Sequence, residues 1–372
     1  MTDRLDRWLF EEYRSSPYDL AAFRIAYALL ALVAVAPGAG PYARFHALGR
    51  LPDALFAPPP GPMMVFGGFP PEALLLCVEI GLTAGLVALL VGYRTPLASV
   101  LVGVGWLVGF GFSYSLGKVN HNLIFVLAPL IMAGSGWGER CSVDTARRRD
   151  RPQTPPERGA WRLALLALLV GFGWATAGAS KLVGGWLDPS SSAAQGHFLR
   201  QVYVNGRADL LAKRVANAEG GVPWKLMDWG TVAFEIGFVV AVLRGAWMRA
   251  YVVLALFFHT TTLLLMNIAF VPMLAVYPAF MGLGRHAQRI ERWAGPRLAK
   301  AARREPVVLV GAALLGAVIF GVNRAAFWHH PPPSFSSDLS GMEVVVGLAF
   351  GCLALWRTGK AIWGRWRKQD AA

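Results

Sequence analysis

The chain has 372 residues, 55% of them hydrophobic and 16% charged, against roughly 25% charged in a soluble domain. Together with a mean hydropathy of +0.44, this excludes a water-soluble globular protein and leaves a membrane protein. The net charge of +14 would suit nucleic acid. The basic residues, however, sit between apolar blocks, with no aromatic-interleaved stripe and no DNA- or RNA-binding motif, so they read as topology signals and nucleic acid is excluded as a partner.

The chain opens with MTDRLDRWLFEEYRSSPYDL, in which Leu5, Trp8, Leu9 and Tyr13 fall at helical spacing. This predicts an amphipathic segment over 1–19 on the cytoplasmic surface, and its mix of acids and bases does not resemble a cleaved signal peptide. Apolar blocks of about 17–25 residues follow, the length that carries a helix across roughly 30 Å of hydrocarbon. They predict an all-α polytopic transmembrane bundle of about ten spans, at 20–37, 72–92, 96–116, 120–136, 160–182, 228–243, 247–267, 269–283, 306–325 and 341–357. Because NIAFVP leaves little room to turn, 247–283 reads equally as one span followed by a re-entrant or short tilted helix, giving eight or nine spans.

Two connecting regions depart from this pattern. The Pro-rich segment 49–71 is predicted to be non-helical and to lie at the outer interface. The segment 183–227 is predicted to form short amphipathic helices on the same side, with Phe198, Val202, Leu210, Leu211 and Val215 as the apolar faces. The linker DTARRRDRPQTPPERG is charged and proline-containing, suited to contact with anionic membrane lipids. VEIGL at 78–82 and FEIGF at 234–238 echo each other, a weak sign of a duplicated two-helix unit. Residues 20–284 form the main transmembrane domain and 285–372 an extension with two further spans. Alternate loops carry 26 and 9 of the 36 Lys and Arg, with Lys181 set apart. The excess predicts cytoplasmic N- and C-termini in a plasma (inner) membrane.

Ionisable groups within spans cost several kcal/mol, roughly 2.5–3.5 for Asp, Lys or Arg at mid-span, so each needs a reason. The sequence offers Glu79, Lys118, His121, Lys181, Glu235 and His259, with Asn120, Asn122 and Asn267. The predicted topology brings Glu79, His121, Lys181, Glu235 and His259 to the outer half of the bilayer. Each has a plainer reading: Glu79 and Glu235 as helix N-terminal charges or ion-pair partners, His259 as a core histidine, Lys118 and Lys181 as anchors that snorkel to water. Their convergence favours one pocket. An amine that loses its hydration favours its neutral form and becomes a base. Lys181, flanked by Ala177, Gly178, Ala179, Leu182, Val183 and Gly184, suits that role.

The residues also carry a family resemblance. Ala177-Gly178-x-x-Lys181-Leu182 precedes Trp186-Leu187, Asn120-His121 leads through an apolar helix to ERCSVD at 139–144, and FHTTTLLLMNIAFVPMLAVYPAF fills 258–280. Over roughly 16–284 these resemble the membrane part of vitamin K-dependent gamma-carboxylase, the horizontally transferred transmembrane domain family. The resemblance implies Lys181 as the base that activates a quinol such as menaquinol, His121 and His259 as catalytic partners, and Asn120 and Trp186 beside that cofactor; the predicted topology adds Glu79 and Glu235 around it. It implies quinol- or oxygen-linked, carboxylase-like chemistry on a small or lipidic substrate. The chain departs from the carboxylase after the membrane part, where two spans replace the β-rich domains that hold the protein substrate. A non-catalytic module for maturation or immunity of a secreted partner, and a transporter, are the other readings.

No metal site is expected. HExxH is absent, and His329-His330 lacks a third ligand at useful spacing. Cys77, Cys141 and Cys352 have neither CxxC nor metal-ligand spacing.

Overall fold

A computed structural model of the chain describes residues 2–32, 45–116, 122–147, 155–207, 211–216, 221–266, 268 and 270–302. Among the described residues there is no strand. In chain order the helices are α1 (Thr2–Arg7), α2 (Pro17–Leu30), α3 (Phe45–Leu48), α4 (Glu72–Val91), α5 (Thr95–Ser113), α6 (Asn122–Met132), α7 (Val143–Arg147) and α8 (Pro156–Val183). They continue as α9 (Ala193–Leu199), α10 (Ala212–Val215), α11 (Val222–Leu243), α12 (Gly245–Met266), α13 (Val271–Val276) and α14 (Gly284–Ala302). A π-helical turn at Trp8–Glu12 extends α1.

Five helical segments are long and apolar enough to cross a membrane: 72–91, 95–116, 156–183, 222–243 and 245–266. Exposed Leu97, Val100, Leu101 and Val104 on α5, or Phe257 on α12, would be sticky in water and are at home against lipid. The expected spans at 20–37 and 120–136 are helical over α2 and α6. Of the two expectations for 247–283, the structure has the one of a long helix, α12, followed by a short one. The stretch 269–283 holds the six-residue α13 and a 3-10 turn, Tyr277–Phe280, about 15 Å of helix against roughly 30 Å of hydrocarbon, because Pro272 and Pro278 interrupt hydrogen bonding. Residues 306–325 and 341–357 lie outside the described residues. The stretch after 284 is a long amphipathic helix, α14.

The described residues divide into two compact units, 2–169 with 271–302 and 170–270. In the first, α4 and α5 form a hairpin. α4 ends at Gly92, φ +72°, with the Tyr93 N–H donating to Ala88 O at 2.8 Å and the Gly92 N–H to Leu89 O at 3.2 Å, a left-handed cap that a Cβ would disfavour. The start of α5 is capped from a distance: the Asp144 carboxylate accepts from the Arg94 and Thr95 N–H groups, both at 2.8 Å, and from the Thr95 hydroxyl at 2.9 Å. Pro129 inside α6 has no N–H, which leaves the Phe125 carbonyl without its helical donor. The Tyr27 hydroxyl of α2 donates to that carbonyl at 2.9 Å, and Tyr27, Phe125, Trp106, Phe23 and Trp137 pack around the contact.

The basic residue at the start of the first expected span behaves differently from a loop cation. Arg24 is fully buried. It donates to Leu89 O at 2.7 Å, Leu90 O at 3.3 Å, Arg140 O at 3.3 Å and Cys141 O at 2.6 Å. It therefore ties α2 to the carbonyl end of α4 and to the ERCSVD turn, where cation and helix dipole attract.

In the second unit, glycines let helices approach. A Cβ on Gly178 of α8 would lie 2.9 Å from the Glu235 Cβ and 3.0 Å from Ile236, and one on Gly171 would overlap Val242. Trp174, one turn from each, fills the space between with Phe234 and Phe238 of α11 and Phe258 and His259 of α12. The segment between α8 and α11 packs through Ala194, Phe198, Val202 and Ala212 onto Trp224 and Met266. The expected short amphipathic helices are thus α9, its π-helical continuation Arg200–Val204 and α10.

Candidate functional site

The last turn of α8 carries Lys181, and the close approach that Gly178 permits brings α11 within its reach. Nζ of Lys181 lies 2.7 Å from both Oε1 and Oε2 of Glu235. The Glu235 side chain is 2% exposed and that of Lys181 22%, so the open edge of the pair is on the lysine. An indole covers it: Nζ is 5.3 Å from the Trp186 ring centroid, a distance at which the ring quadrupole attracts a cation.

Trp186 is held there by a second, buried pair. Asp228 of α11, 0% exposed, accepts from the N–H groups of Ala193 at 3.2 Å and Ala194 at 2.7 Å, capping α9. Lys225, one turn earlier, donates to Asp228 at 3.1 Å, to the Trp186 carbonyl at 3.1 Å and to the Ser191 hydroxyl at 3.3 Å. The 186–194 segment is thereby latched to the helix that carries Glu235. Within the turn, the hydroxyl and backbone N–H of Ser190 hold the Asp188 carboxyl below the usual carboxylate range.

His259 lies in the same unit, 6% exposed, its ring stacked 4.4 Å from Phe270 and 5.3 Å from Trp174. The threonines after it are served by their own helix, with Thr260, Thr261 and Thr262 donating to the carbonyls of Leu256, Phe257 and Phe258. That is why three hydroxyls are tolerated in a membrane helix. Glu79 belongs to the other unit, where it is 1% exposed and contacts His46, with Nδ1 2.9 Å from Oε1 and 3.0 Å from Oε2. Asn120 and His121 lie outside the described residues, as do Lys118 and Asn267.

Of the residues singled out in the sequence, the structure brings Lys181, Glu235 and Trp186 together and sets His259 in an aromatic nest beside Trp174. The sequence reading missed His46, Asp228 and Lys225. Asp228 and Lys225 are polar residues at the edge of an expected span, indistinguishable in sequence from an ordinary helix start. His46 sits in a stretch without helical periodicity. Among the described residues no group of three or more His, Cys, Asp or Glu is arranged to hold a metal.

The arrangement can hold one proton at either of two sites. An ammonium against a carboxylate and a neutral amine against a carboxylic acid differ by one proton moved along a 2.7 Å hydrogen bond. In an apolar medium the charge-separated form loses much of its advantage.

The family model of the HTTM domain, the transmembrane domain of vitamin K-dependent gamma-carboxylase, matches residues 14–283. No curated protein and no solved structure matches the chain.

Proposed function

This chain belongs to the HTTM-domain family as an integral, multi-pass membrane protein, and from that premise we propose that it is an enzyme performing carboxylase-like, quinol- or oxygen-linked chemistry on a small or lipidic substrate. The Lys181–Glu235 pair is its proton-handling group. The observation that carries this reading is the asymmetry of the pair: the Glu235 side chain is sealed at 2% exposure, whereas the Lys181 side chain is 22% exposed, with its amine over an aromatic face. A merely structural pair has no need of an open edge on its basic member.

The residues fit a quinol such as menaquinol. Trp186, with His197 5.5 Å away, offers aromatic contact, and the Lys181 amine offers one polar contact for a hydroxyl. When bound, a quinol supplies an acidic O–H and two reducing electrons. Glu235 takes one proton from the Lys181 ammonium, which breaks one N–H and forms one O–H within the pair and leaves a neutral amine facing the ring. That amine then accepts the substrate's hydroxyl proton. Trp186 orients the ring, and Asp228 with Lys225 keeps Trp186 in place. His259, in the same unit as the pair, belongs to this reading as the catalytic candidate that the family resemblance implies. Up to residue 249, Lys181 apart, alternate loops carry 14 and 8 Lys and Arg, which supports a cytoplasmic N-terminus in an inner membrane with the pair in the outer leaflet; a cytoplasmic C-terminus as well requires 269–283 to cross.

The test is quinol consumption and quinone retention by the full chain in lipid nanodiscs. Purified protein is expected to retain a quinone visible by native mass spectrometry. Lys181→Met and Glu235→Gln are expected to abolish oxygen-dependent consumption of menaquinol while remaining monodisperse. Undiminished consumption in Lys181→Met would overturn the reading.

The contact of Nζ with both carboxylate oxygens also favours a second reading, in which the pair only fastens α8 to α11 in a non-catalytic module for maturation or immunity of a secreted partner. In that case Lys181→Met unfolds the second unit and no quinone is retained by the native protein.

A further inference from the structure

We propose that α14 lies along the membrane surface on the side of the N-terminus and docks there on anionic phospholipid headgroups through Arg285, Arg289, Arg292 and Arg297, with Trp293 and Ile290 set at the edge of the acyl chains. The surface lies wholly within the first unit and stands whether or not the Lys181 reading does.

The direction of α14 follows from what holds it. The Gly284 N–H donates to the Asp19 carboxylate at 2.5 Å. Ala287 packs with Ala21 and Cys141, and the Cys141 thiol donates to the Ala287 carbonyl at 3.2 Å. The Tyr18 hydroxyl donates to the Glu291 carboxylate. Gly284 and Glu291 are about 10 Å apart along α14, yet they meet adjacent residues of α2. A helix running alongside α2 would spread that interval over about two turns of it, so α14 instead crosses α2 at its first turn. Because α2 opens the first expected span, its first turn marks the surface of the membrane, and a helix that crosses it there runs along that surface.

The two faces of α14 match this placement. Gly284 and Ala287 are buried and Glu291 and Ala294 half-buried, at the spacing of one helix face. Arg285, Arg289, Arg292, Trp293 and Arg297 are exposed and recur every three or four residues, which makes a second stripe. Glu291 is the one acid of α14 and is taken up by Tyr18, so the exposed stripe is uniformly positive. Trp293 is 72% exposed and Ile290 42%, and the Arg297 guanidinium lies 4.8 Å from the Trp293 ring centroid. The cationic surface continues on the neighbouring turns, where Arg94 and Arg147 each lie 5.8 Å from the Tyr93 ring centroid.

An indole set among arginines suits the headgroup level, where the ring meets the acyl boundary, the arginine stems lie along it and the guanidinium groups reach phosphate. An anionic headgroup supplies the charge that this stripe lacks, and a zwitterionic one carries no net charge to attract it.

The experiment uses the full chain in uncharged maltoside micelles, with Ile290→Cys in a Cys77→Ala/Cys352→Ala background carrying an environment-sensitive NBD probe; Cys141 is buried and stays unlabelled. Titration with dioleoylphosphatidylglycerol is expected to shift the emission to the blue and to saturate, whereas dioleoylphosphatidylcholine leaves it unchanged. Arg289→Gln and Arg292→Gln are each expected to weaken the phosphatidylglycerol response about fivefold, the scale of one arginine at an anionic surface. In nanodiscs containing phosphatidylglycerol, a lipid spin label near the headgroup should quench the probe. An equal response to the two lipids, an unchanged response in the folded double variant, or an unquenched probe would overturn the proposal. A saturating response to polyglutamate where phosphatidylglycerol gives none would also overturn it, by assigning the stripe to an acidic protein.

Discussion

Arg24 and Lys181 are both cations on apolar helices, and the two units neutralise them in opposite ways. Arg24 in the first unit is fully buried and meets four backbone carbonyls, those of Leu89, Leu90, Arg140 and Cys141. Lys181 in the second meets one carboxylate and one indole, and keeps an exposed edge. Carbonyls are dipoles that cannot take a proton, so the arginine cage is permanently charged and holds elements together. A carboxylate can take one, so the lysine pair has two protonation states of equal net charge. The difference separates a fastening from a candidate reaction centre better than burial does, since both cations are removed from bulk water.

The comparison is broken most severely at Arg24. Arg24→Leu removes the cation and leaves four buried carbonyls without their donor, an expected loss of about 3 kcal/mol or more. Arg24→Lys should recover only part of it, because an ammonium cannot spread over four acceptors as a guanidinium fork does. Unfolding in mixed detergent micelles measures both, and a wild-type midpoint for Arg24→Leu would show that the cage is not a fastening.

A smaller effect is expected at the lysine pair. Lys181→Met and Glu235→Leu should each cost about 2 kcal/mol by leaving one charge unpaired, and the double variant should regain most of that stability. Stability regained without quinol consumption is the signature of a pair kept for its protons. Strictly additive losses in the double variant would mean that the two groups do not act on each other.

The smallest effect sharpens the description of the ERCSVD turn. Burial first, then the nearby Glu291, pushes the Cys141 thiol up to about 11. A thiol whose pKa is raised on folding contributes stability below its unfolded value, and that contribution is lost as pH rises toward the folded one. The detergent-unfolding midpoint should therefore fall between roughly pH 9 and pH 11, and Cys141→Ala should flatten that fall. In a Cys77→Ala/Cys352→Ala background, Cys141 should also resist maleimide at pH 8 until the protein unfolds. Rapid labelling of the folded protein would contradict the buried thiol.

The sequence was most informative where its signal is local. Block length and the absence of charge set the five long apolar helices, and proline spacing left 49–71 irregular. Lys181 and Glu235 stood out because a charge in an apolar run is costly wherever it ends up. Elsewhere the same local rule has two solutions. Arg24, counted among the cytoplasmic cations, is a buried tie instead, and 269–283, which the sequence left open between a span and a short helix, is short because Pro272 and Pro278 interrupt it.

By itself, then, the sequence determined that this is a helical membrane protein with a few ionisable groups that need partners, because helix length and hydrophobic content are properties of neighbouring residues. Only the tertiary structure decided which partners they find. Glu235 reaches Lys181 across 54 positions because Gly178 lets two helices touch, His46 turns to Glu79 because Phe45 locks α3 onto α5, and Tyr27 serves the carbonyl that Pro129 leaves free. Each of these pairings is fixed by how helices pack against one another, and the order of residues along a single helix does not contain that distance.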